Sequence, residues 1–404
     1  MKLLLSAYAC DPNVGSEPAV GFETLKTAAS RHEVWLLTRA NNVPVLDEWL
    51  HDSGLKERVH LVGMEVPGSA LTNKGKGLMS LHRYYDLWQR AVAVKGRDLH
   101  ATVGFDVVHH VTFASYWTRT GVAAVPAPLV WGPVGGGVRS PSGLLAALGV
   151  RGLLEEIARI AGRRLASTWH GAYQTAGQAA VTLAQNRPTA HLLERSGRSV
   201  QVLPNATAAK MAPPSHTETR SSDVMMVSRL VAWKGGVLAV RALRHLEHPD
   251  ASLVIVGDGP DRERIRRAAR RWHVEGRVVF KGRLRRDEVL HLLAGCGVLV
   301  HPALHEEGGL AVAEALRVGT PVVCLDWGGP ASLAYLWKST PSTLVRPTTP
   351  DRTARRLAAA IDAYLAHPPD SENTVRPASL DFETEVLAAY ERAAEVTEPP
   401  NGSV

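Results

Sequence analysis

The stretch His305–Val323, HEEGGLAVAEALRVGTPVV, contains a turn, a short helix and the start of an apolar strand. Two carboxylates, Glu306 and Glu314, stand on either side of its Gly-Gly-Leu turn. The apolar run Val298–His301 precedes the stretch, so the order is strand, loop, helix, strand. That order is the repeating unit of a parallel sheet flanked by helices. We therefore predict an α/β domain in which Glu306 lies in a loop and Glu314 lies within the following helix.

The same alternation of β-rich runs and helical stretches extends along the whole chain. A segment from Pro204 to Ser222 is rich in Ala, Thr, Ser and Pro and has no apolar period, so we predict a linker there. The strands predicted before it are Lys2–Tyr8, Glu33–Thr38, Val59–Val62, Val107–Thr112, Pro128–Gly132, Ala180–Leu183 and Val200–Leu203. The strands predicted after it are Val224–Ser228, Leu253–Gly257, Val278–Lys281, Val298–His301, Val322–Leu325 and Leu344–Arg346.

The domain organisation follows from the length and from this pattern. A chain of 404 residues with 45% hydrophobic residues is too long for one ordinary core. We predict an N-terminal Rossmann-like domain over 1–204, a second Rossmann-like domain over 205–375, a helix over 376–396 that packs back on the first domain, and a disordered tail over 397–404. Open α/β sheets bind ligands beyond the carboxyl ends of their strands, so the site is expected in a cleft between the two doubly wound domains.

Composition narrows the function classes. The three cysteines are far apart in sequence, which suits reduced thiols in a cytoplasm and gives no sign of a disulfide framework or a zinc site. The first apolar run is too short for a secretion signal, and no apolar run approaches the ~18 residues of a membrane-spanning helix. The net charge of +7 favours an anionic partner.

Two loops could bind an anion. Gly15 lies in the loop after the first strand and lets backbone approach a ligand, although a tight strand-to-helix turn is an equally good interpretation. Arg229 and Lys234 follow a strand directly, in VSRLVAWKG, and could together bind a diphosphate. For any one such cation a solvated surface position is the alternative, and the place at a strand end is what favours a site.

The stretch around Glu306 also has two interpretations. An acidic residue at a helix start is stabilised by the helix dipole by up to about 1 kcal/mol, which explains one glutamate without a ligand. The intervening Gly308 and Gly309 leave bare backbone amides at the helix start, which with Arg229 and Lys234 would complete an anion site. The carboxylates could accept hydrogen bonds from hydroxyl groups of the same ligand, as a nucleotide sugar would provide.

Several motifs resemble, in order and spacing, the retaining GT-B glycosyltransferases of glycosyltransferase family 4. They are VLPN at 202–205, VSRLVAWKG at 227–235, LVIVGDGP at 253–260, VFKG at 279–282 and the Glu306–Glu314 stretch. The resemblance implies an α/β GT-B fold of two facing Rossmann-like domains with a C-terminal helix that crosses back to the first. It also implies transfer of a sugar from a nucleotide-diphosphate donor to a hydroxyl acceptor.

The resemblance further implies roles for individual residues. Glu306 would contact the donor sugar, Glu314 the ribose, and Arg229 and Lys234 the diphosphate. The remaining donor-binding positions would be Gly15 from the first domain, Gly308, Gly309 and Leu310 at the sugar and phosphate, and Arg283 and Leu284 at the base.

Three positions depart from the family's pattern. Glu307 replaces its usual glycine and Gly308 its usual phenylalanine, so the sugar contacts can differ. The loop WGPVGGG at 131–137 has no histidine where many members carry one. His110 is a candidate catalytic replacement, with a structural histidine as the favoured alternative.

The remaining expectations concern cofactors and partners. No Asp-x-Asp occurs in the chain, and the spacing of His301 and His305 spans a strand end rather than a helix, so we expect no cofactor and no metal. The expected partners are a nucleotide sugar and a hydroxyl acceptor, which could be a small molecule, a glycan or a lipid-linked molecule. Nucleic acid is not expected, because the basic cluster Arg262–Arg271 lacks an aromatic platform.

We expect a cytoplasmic enzyme. The helix over Val150–Ala166 is amphipathic enough to touch the inner face of a membrane, although an ordinary surface helix is favoured. The alternatives are a nucleotide-sugar epimerase or hydrolase of the same fold and a non-catalytic nucleotide-sugar or nucleic-acid binding protein. An NAD oxidoreductase is disfavoured, because no GxGxxG follows a strand.

Overall fold

The computed structural model describes residues 1–14, 17–66, 78–169, 172–205, 220–337, 340–369 and 382–396. Gly15, most of the predicted linker and the predicted tail lie outside these residues. Within them the chain divides into two compact units. One contains Met1–Gly137, Gly162–Thr207 and Asp381–Val404, and the other contains Val138–Ala161 and Ala208–Leu380.

The first unit contains a parallel sheet of seven strands in the order β3-β2-β1-β4-β5-β6-β7. Its strands are β1 Lys2–Ser6, β2 Glu33–Arg39, β3 Val59–Met64, β4 Val107–His110, β5 Leu129–Val134, β6 Val181–Ala184 and β7 Val200–Val202. Its helices are α1 Glu17–Arg31, α2 Val43–Ser53, α3 Leu78–Val103, α5 Ala172–Gln178, α6 Arg187–Leu193 and α13 Phe382–Ala394. The central strands are buried throughout because helices cover both faces of a doubly wound sheet.

The second unit contains a parallel sheet of six strands in the order β10-β9-β8-β11-β12-β13. Its strands are β8 Val224–Val227, β9 Leu253–Val256, β10 Val278–Gly282, β11 Val298–His301, β12 Val322–Leu325 and β13 Ser342–Val345. Its helices are α7 Gly236–Leu243, α8 Arg262–Arg271, α9 Arg286–Gly295, α10 Leu310–Arg317, α11 Gly328–Leu336 and α12 Pro350–Ala366. The strand order reverses between β8 and β11, and open sheets bind ligands at such a reversal.

Helix α4, Leu145–Trp169, begins in the second unit, and its residues from Gly162 onward belong to the first. Its backbone leaves the helical region at Gly149. The segment Val138–Ala161 belongs to the second unit although it precedes the last strands of the first sheet in sequence. No sequence pattern indicates that this segment belongs to the second unit.

Helix α13 packs within the first unit. The hydroxyl of its buried Tyr390 lies 2.8 Å from Nδ1 of His109 on β4. The other imidazole nitrogen, Nε2, lies 2.7 Å from the carbonyl oxygen of Gly132. This chain of hydrogen bonds satisfies polar groups that burial would otherwise leave unpaired, and it joins the C-terminal helix to two strands of the sheet.

The two parallel sheets confirm the predicted α/β architecture, and each of the thirteen strands predicted above overlaps one strand of the structure. The cysteines, Cys10, Cys296 and Cys324, are buried and unpaired. Among the described helices, none is both long enough and apolar enough to span a membrane.

Candidate functional site

Arg229 and Lys234 lie in the turn that follows β8, at the reversal of the second sheet. The Lys234 side chain is only 14% exposed, whereas Arg229 is exposed. Burial, followed by the positive charge of Arg229, lowers the pKa of Lys234 to about 8. An anion between the two cations would offset both effects, so this turn can bind a negatively charged ligand.

This turn is joined by its backbone to the loop after β11. The carbonyl oxygen of Trp233 accepts hydrogen bonds from the amides of Leu304, at 2.8 Å, and His305, at 3.3 Å. Gly235 ends the turn at φ 77°, and a Cβ on it would lie 2.0 Å from the carbonyl oxygen of Pro302. Only glycine allows this approach, which sets the position of Lys234 relative to the loop.

Lys234 and Glu306 form an ion pair, so the structure brings together the predicted diphosphate and sugar contacts. The carboxylate is 19% exposed, and its Oε2 lies 3.7 Å from Nε2 of His301 at the end of β11. Burial, followed by the charge on Lys234, lowers the pKa of His301 to about 3, so this imidazole is neutral. The polar centre therefore consists of one cation, one anion and one neutral ring.

The turn after Glu306 leads into α10. Gly309 adopts φ 91° immediately before the helix, and Leu310 is its first residue. The first backbone amides of a helix have no intrahelical acceptor and can face an anion. A Cβ on Gly308 would meet no described atom within 4 Å, so the volume that a larger side chain would occupy is open here.

Glu314 lies within α10, is mostly buried, and accepts a hydrogen bond of 2.9 Å from Nε of Arg286 at the start of α9. Burial raises the pKa of Glu314, and Arg286 opposes that rise. Arg286 was not predicted from the sequence. Its neighbours Arg285 and Asp287 pair with each other, so charge spacing alone could not have singled it out.

The Gly-Asp-Gly-Pro loop after β9 holds the backbone beside Arg229. Leu230 donates its amide to the carbonyl oxygen of Asp258 at 3.0 Å and accepts from the amide of Asp261 at 2.9 Å. The role of this motif here is therefore structural: it fixes the turn that carries Arg229.

Glu307 contacts the backbone at Val138 and the ring of His305. Its Oε1 lies 3.3 Å from the backbone amide of Val138, which donates to it, and 3.7 Å from Nε2 of His305. The other ring nitrogen of His305 lies 3.8 Å from Oε1 of Glu156 on α4. Glu307, His305 and Glu156 thus connect the loop to the segment at Val138 and to α4.

Glu156 is 2% exposed and accepts hydrogen bonds from the amide of Ser140, at 2.8 Å, and from Arg159. Burial would raise the pKa of its carboxyl, but His305, the Ser140 amide and Arg159 outweigh burial and lower the pKa to about 2. In sequence Glu156 is one of two adjacent glutamates on an amphipathic helix, and nothing there distinguishes it from Glu155.

A stability prediction follows from Glu156. A carboxyl whose pKa is depressed in the folded state stabilises it above the unfolded pKa, near 4.5, and loses that contribution as pH falls toward about 2. We expect Glu156→Gln to destabilise the second unit by on the order of 2 kcal/mol at neutral pH. The difference from wild type should shrink between pH 5 and pH 2, as measured by urea unfolding at several pH values.

The matched control is Glu155→Gln, because Glu155 pairs with Arg151 in an exposed i,i+4 contact of 3.0 Å. Exposed pairs contribute up to about 0.5 kcal/mol, so this variant should unfold almost as wild type does. Equal destabilisation by the two variants would show that the buried contacts of Glu156 add no more to the free energy of unfolding than an exposed ion pair does.

The loop that carries Glu306 also rests on the start of α11. Gly329 donates its amide to the carbonyl oxygen of Glu306 at 3.0 Å. A Cβ on Gly329 would lie 2.1 Å from the carbonyl oxygen of Glu307. The only sequence signal for this contact is the Gly-Gly-Pro that follows β12.

Two of the predicted site residues, Gly15 and His110, belong to the first unit. Gly15 lies outside the described residues. His110 ends β4, is fully buried, and its Nε2 lies 3.1 Å from the Tyr85 hydroxyl. Burial, followed by the charge of His109, lowers its pKa to about 3, so the ring is neutral. Its other ring nitrogen, Nδ1, is buried and has no hydrogen-bond partner among the described residues, and the catalytic role of His110 stays a prediction.

Arg283 and Leu284 follow β10, the edge strand of the second sheet. Arg283 is exposed and Leu284 is half-buried. Among the described residues, no hydrogen bond or ion pair joins either of them to Lys234, Glu306 or Glu314. Their assignment to the base stays a prediction.

Part of the second unit is similar to a known family. Residues 210–377 match the family described as glycosyl transferases group 1. A 2-deoxystreptamine glucosyltransferase of Streptomyces kanamyceticus is 34% identical over 34% of this chain and 35% of its own length. A 2-deoxystreptamine N-acetyl-D-glucosaminyltransferase of Streptomyces fradiae is 29% identical over 68% of each chain. The first match therefore spans about a third of that relative, and the second about two thirds.

Solved structures extend the likeness to both units. Anabaena HepE in complex with UDP and glucose aligns with a TM-score of 0.55 at 18% identity, over 98% of this chain and 99% of that chain. The lipopolysaccharide outer core galactosyltransferase WaaB aligns with a TM-score of 0.56 at 15% identity, over 92% and 98%. At such identities the likeness concerns the fold. The chain is thus an α/β protein whose fold is like that of these glycosyltransferases, its residues 210–377 match the glycosyl transferases group 1 family, and the comparisons support a transferase.

Proposed function

We propose that this protein is a retaining glycosyltransferase that moves a sugar from a nucleoside diphosphate to a hydroxyl acceptor without a metal ion. The observation that carries the proposal is the pairing of Lys234 with Glu306 beside Arg229, at the reversal of the second sheet. Two cations suit a diphosphate, and a partly exposed carboxylate suits sugar hydroxyls. The matched family and its relatives support the same reaction class.

In the proposed reaction, the bond between the sugar's anomeric carbon and the diphosphate oxygen breaks, and a bond from the acceptor oxygen to that carbon forms. The acceptor's proton passes to the departing phosphate on the same face. Arg229, Lys234 and the first amides of α10 stabilise the negative charge that develops on the leaving group. Glu306 orients the sugar. Lys234, which pairs with Glu306, also faces the diphosphate when the donor is bound.

Retention and metal independence are testable parts of this proposal. NMR of the product would show an anomeric configuration equal to that of the donor if the sugar is retained. Activity should persist in excess EDTA, because the two cations and the helix amides carry the leaving-group charge. Inversion, or loss of activity that added Mg²⁺ restores, would overturn the respective part.

The test of the donor is binding followed by turnover. UDP is the first nucleotide to try, because the HepE structure is described with UDP and glucose. GDP and ADP serve as comparisons, and 2-deoxystreptamine is a first acceptor because two relatives are named for it. A matching nucleoside diphosphate should raise the melting temperature of the full chain. Release of the nucleoside diphosphate without an acceptor would instead indicate a hydrolase. If no nucleoside diphosphate is released from any donor, the protein would be a binding protein.

A variant of Glu314 tests the ribose contact. Replacing Glu314 with glutamine removes one charge but keeps the shape, and it should weaken donor binding by about tenfold, or ~1.4 kcal/mol, while changing kcat little. The readout is KM for the donor. Glu288→Gln is the control, because Glu288 is an exposed carboxylate on neighbouring α9. An unchanged KM would remove Glu314 from the donor site.

We also propose that α4 can contact a membrane surface or a lipid-linked acceptor. Val150, Leu154 and Ile157 are exposed and follow one face of the helix at i, i+4 and i+7. Flotation with anionic vesicles would test the membrane contact, and Leu154→Gln should reduce the fraction of protein that floats with them. No flotation of the wild-type chain would reject the contact.

A further inference from the structure

The second unit has a concave cavity of about 570 Å³ whose lining includes no residue from the candidate donor site. Its walls come from the start of α4, from α7 and α8, and from the first residue of α12, Pro350. Small-molecule sites commonly measure ~300–1,000 Å³, so the cavity is large enough for a metabolite. Among the described lining residues four are arginine and none is acidic: Arg241, Arg264, Arg267 and Arg271.

The arginines converge because of the fold. Arg264, Arg267 and Arg271 stand at i, i+3 and i+7 on α8, so they share one helix face. Arg241 approaches from α7, and its guanidinium lies 5.0 Å from the ring centre of Trp272, another lining residue. Stacking on an indole holds a guanidinium in place and leaves its edge free to donate hydrogen bonds.

Of the four arginines around the cavity, three have no carboxylate partner among the described residues. On the other side of α8, Glu263 pairs with Arg270 at 3.0 Å and with Arg266 at 3.9 Å. Arg264 contacts Asp261 at 3.3 Å and also donates to the carbonyl oxygen of Ala147 on α4. Within the described part of the chain, no carboxylate lies within ion-pair distance of Arg241, Arg267 or Arg271.

Guanidinium groups that face the same cavity repel one another unless an anion lies between them. Ordinary surface exposure explains single arginines, and Arg266 and Arg270 are examples. It does not explain why three guanidiniums without a carboxylate partner, a fourth that donates to α4, and a stacked indole all line one cavity. Pro350 adds the N-terminus of a 17-residue helix, whose dipole also favours an anion.

We propose that this cavity binds a phosphorylated small metabolite, with the phosphate between Arg267, Arg271 and Arg241 and the remainder of the molecule against Trp272. The planar forks of arginine match the paired oxygens of a phosphate monoester. The concave shape suits a metabolite rather than an extended polyanion such as nucleic acid. The site is separate from the donor site, so it does not depend on the proposed function.

The test is calorimetric titration of the full chain at fixed ionic strength with inorganic phosphate, glucose 6-phosphate and unphosphorylated glucose. We expect glucose 6-phosphate to bind more tightly than phosphate, and glucose not to bind. Arg267→Ala with Arg271→Ala should weaken glucose 6-phosphate at least tenfold, equivalent to ~1.4 kcal/mol. Both side chains are exposed, so the variant should keep its fold and its UDP affinity.

The matched control is Arg266→Ala with Arg270→Ala, which removes the same charge from the same helix on its other side. It should leave glucose 6-phosphate affinity unchanged. Equal weakening by both double variants would mean that only net charge matters, and the site would be rejected. No binding of glucose 6-phosphate, or displacement of it by a short oligonucleotide that binds more tightly, would also overturn the proposal. If the full wild-type chain binds glucose 6-phosphate but not UDP, the donor assignment is contradicted and the proposal for this cavity is not.

Discussion

Replacing Lys234 with alanine should lower turnover of the nucleoside diphosphate sugar by at least about 100-fold, because it removes a preorganised charge from the leaving group. Lys234 is nearly buried, and the backbone of its turn is fixed by Trp233 and by Gly235. Its ammonium therefore cannot be replaced by a mobile neighbour. The measurement is kcat/KM for the donor, from release of nucleoside diphosphate under saturating acceptor.

Arg229→Ala should have an effect in the same direction that is smaller, because Arg229 is exposed and its interactions are screened by water. Combining both substitutions should cost less than the product of the single effects if the cations act on one diphosphate. Arg244→Ala is the control: Arg244 is exposed at the end of α7, whose first residue follows the same turn. It should keep wild-type kinetics.

The outcome that would contradict this assignment is near wild-type turnover in both Lys234→Ala and Arg229→Ala. In that case the turn after β8 would be a structural corner, and the Lys234–Glu306 pair would stabilise the loop rather than bind donor. The melting temperature separates the two roles. A structural pair would lower it when Lys234 is lost, whereas a binding pair would mainly lower the shift produced by the nucleotide.

The central strands were predictable because they are buried on both faces. Runs such as VLVH at 298–301 and VVCL at 322–325 are apolar without alternation, and Gly, Pro or polar residues bound them. Helix ends were less predictable. Helix α3, for example, extends over Leu78–Val103, and its many polar residues hide the apolar period toward both ends.

The contacts that could not be predicted from the sequence are those between segments far apart along the chain. Glu156 lies 149 positions before His305, yet the two side chains are 3.8 Å apart. The exchange of Val138–Ala161 into the second unit creates this contact, and no local pattern indicates it. Arg286 was missed for the same reason: its partner Glu314 stands 28 positions away on another helix.

Glu307 stands where the glycosyltransferases that this chain resembles have glycine. It shows both what the sequence could predict and what it could not. Sequence identified Glu307 as a position where donor contacts can differ. The structure shows its carboxylate near His305 and accepting from the amide of Val138, and not paired with Lys234. Its effect on the donor would therefore be indirect, through the position of the loop.

Two adjacent glutamates should consequently respond in opposite ways. Glu306→Gln should reduce kcat by about 100-fold or more, because the neutral amide loses the charged pair with Lys234 and orients the sugar hydroxyls less well. Its effect on folding should be small, because the amide oxygen of the introduced glutamine can still accept a hydrogen bond from Lys234. Glu307→Gln should instead lower the melting temperature, because it weakens the network of His305 and Glu156, and it should keep most of the turnover.

The comparison of the two variants is sharper than either alone, because they make the same chemical change at neighbouring positions of one loop. Each is measured for kcat, for donor KM and for melting temperature with and without UDP. A general disturbance of the loop would move all readouts in both variants together. If Glu307→Gln lost turnover as strongly as Glu306→Gln while retaining its melting temperature, Glu307 would belong to the chemistry. The pairing of Lys234 with Glu306 would then not identify the carboxylate that orients the sugar.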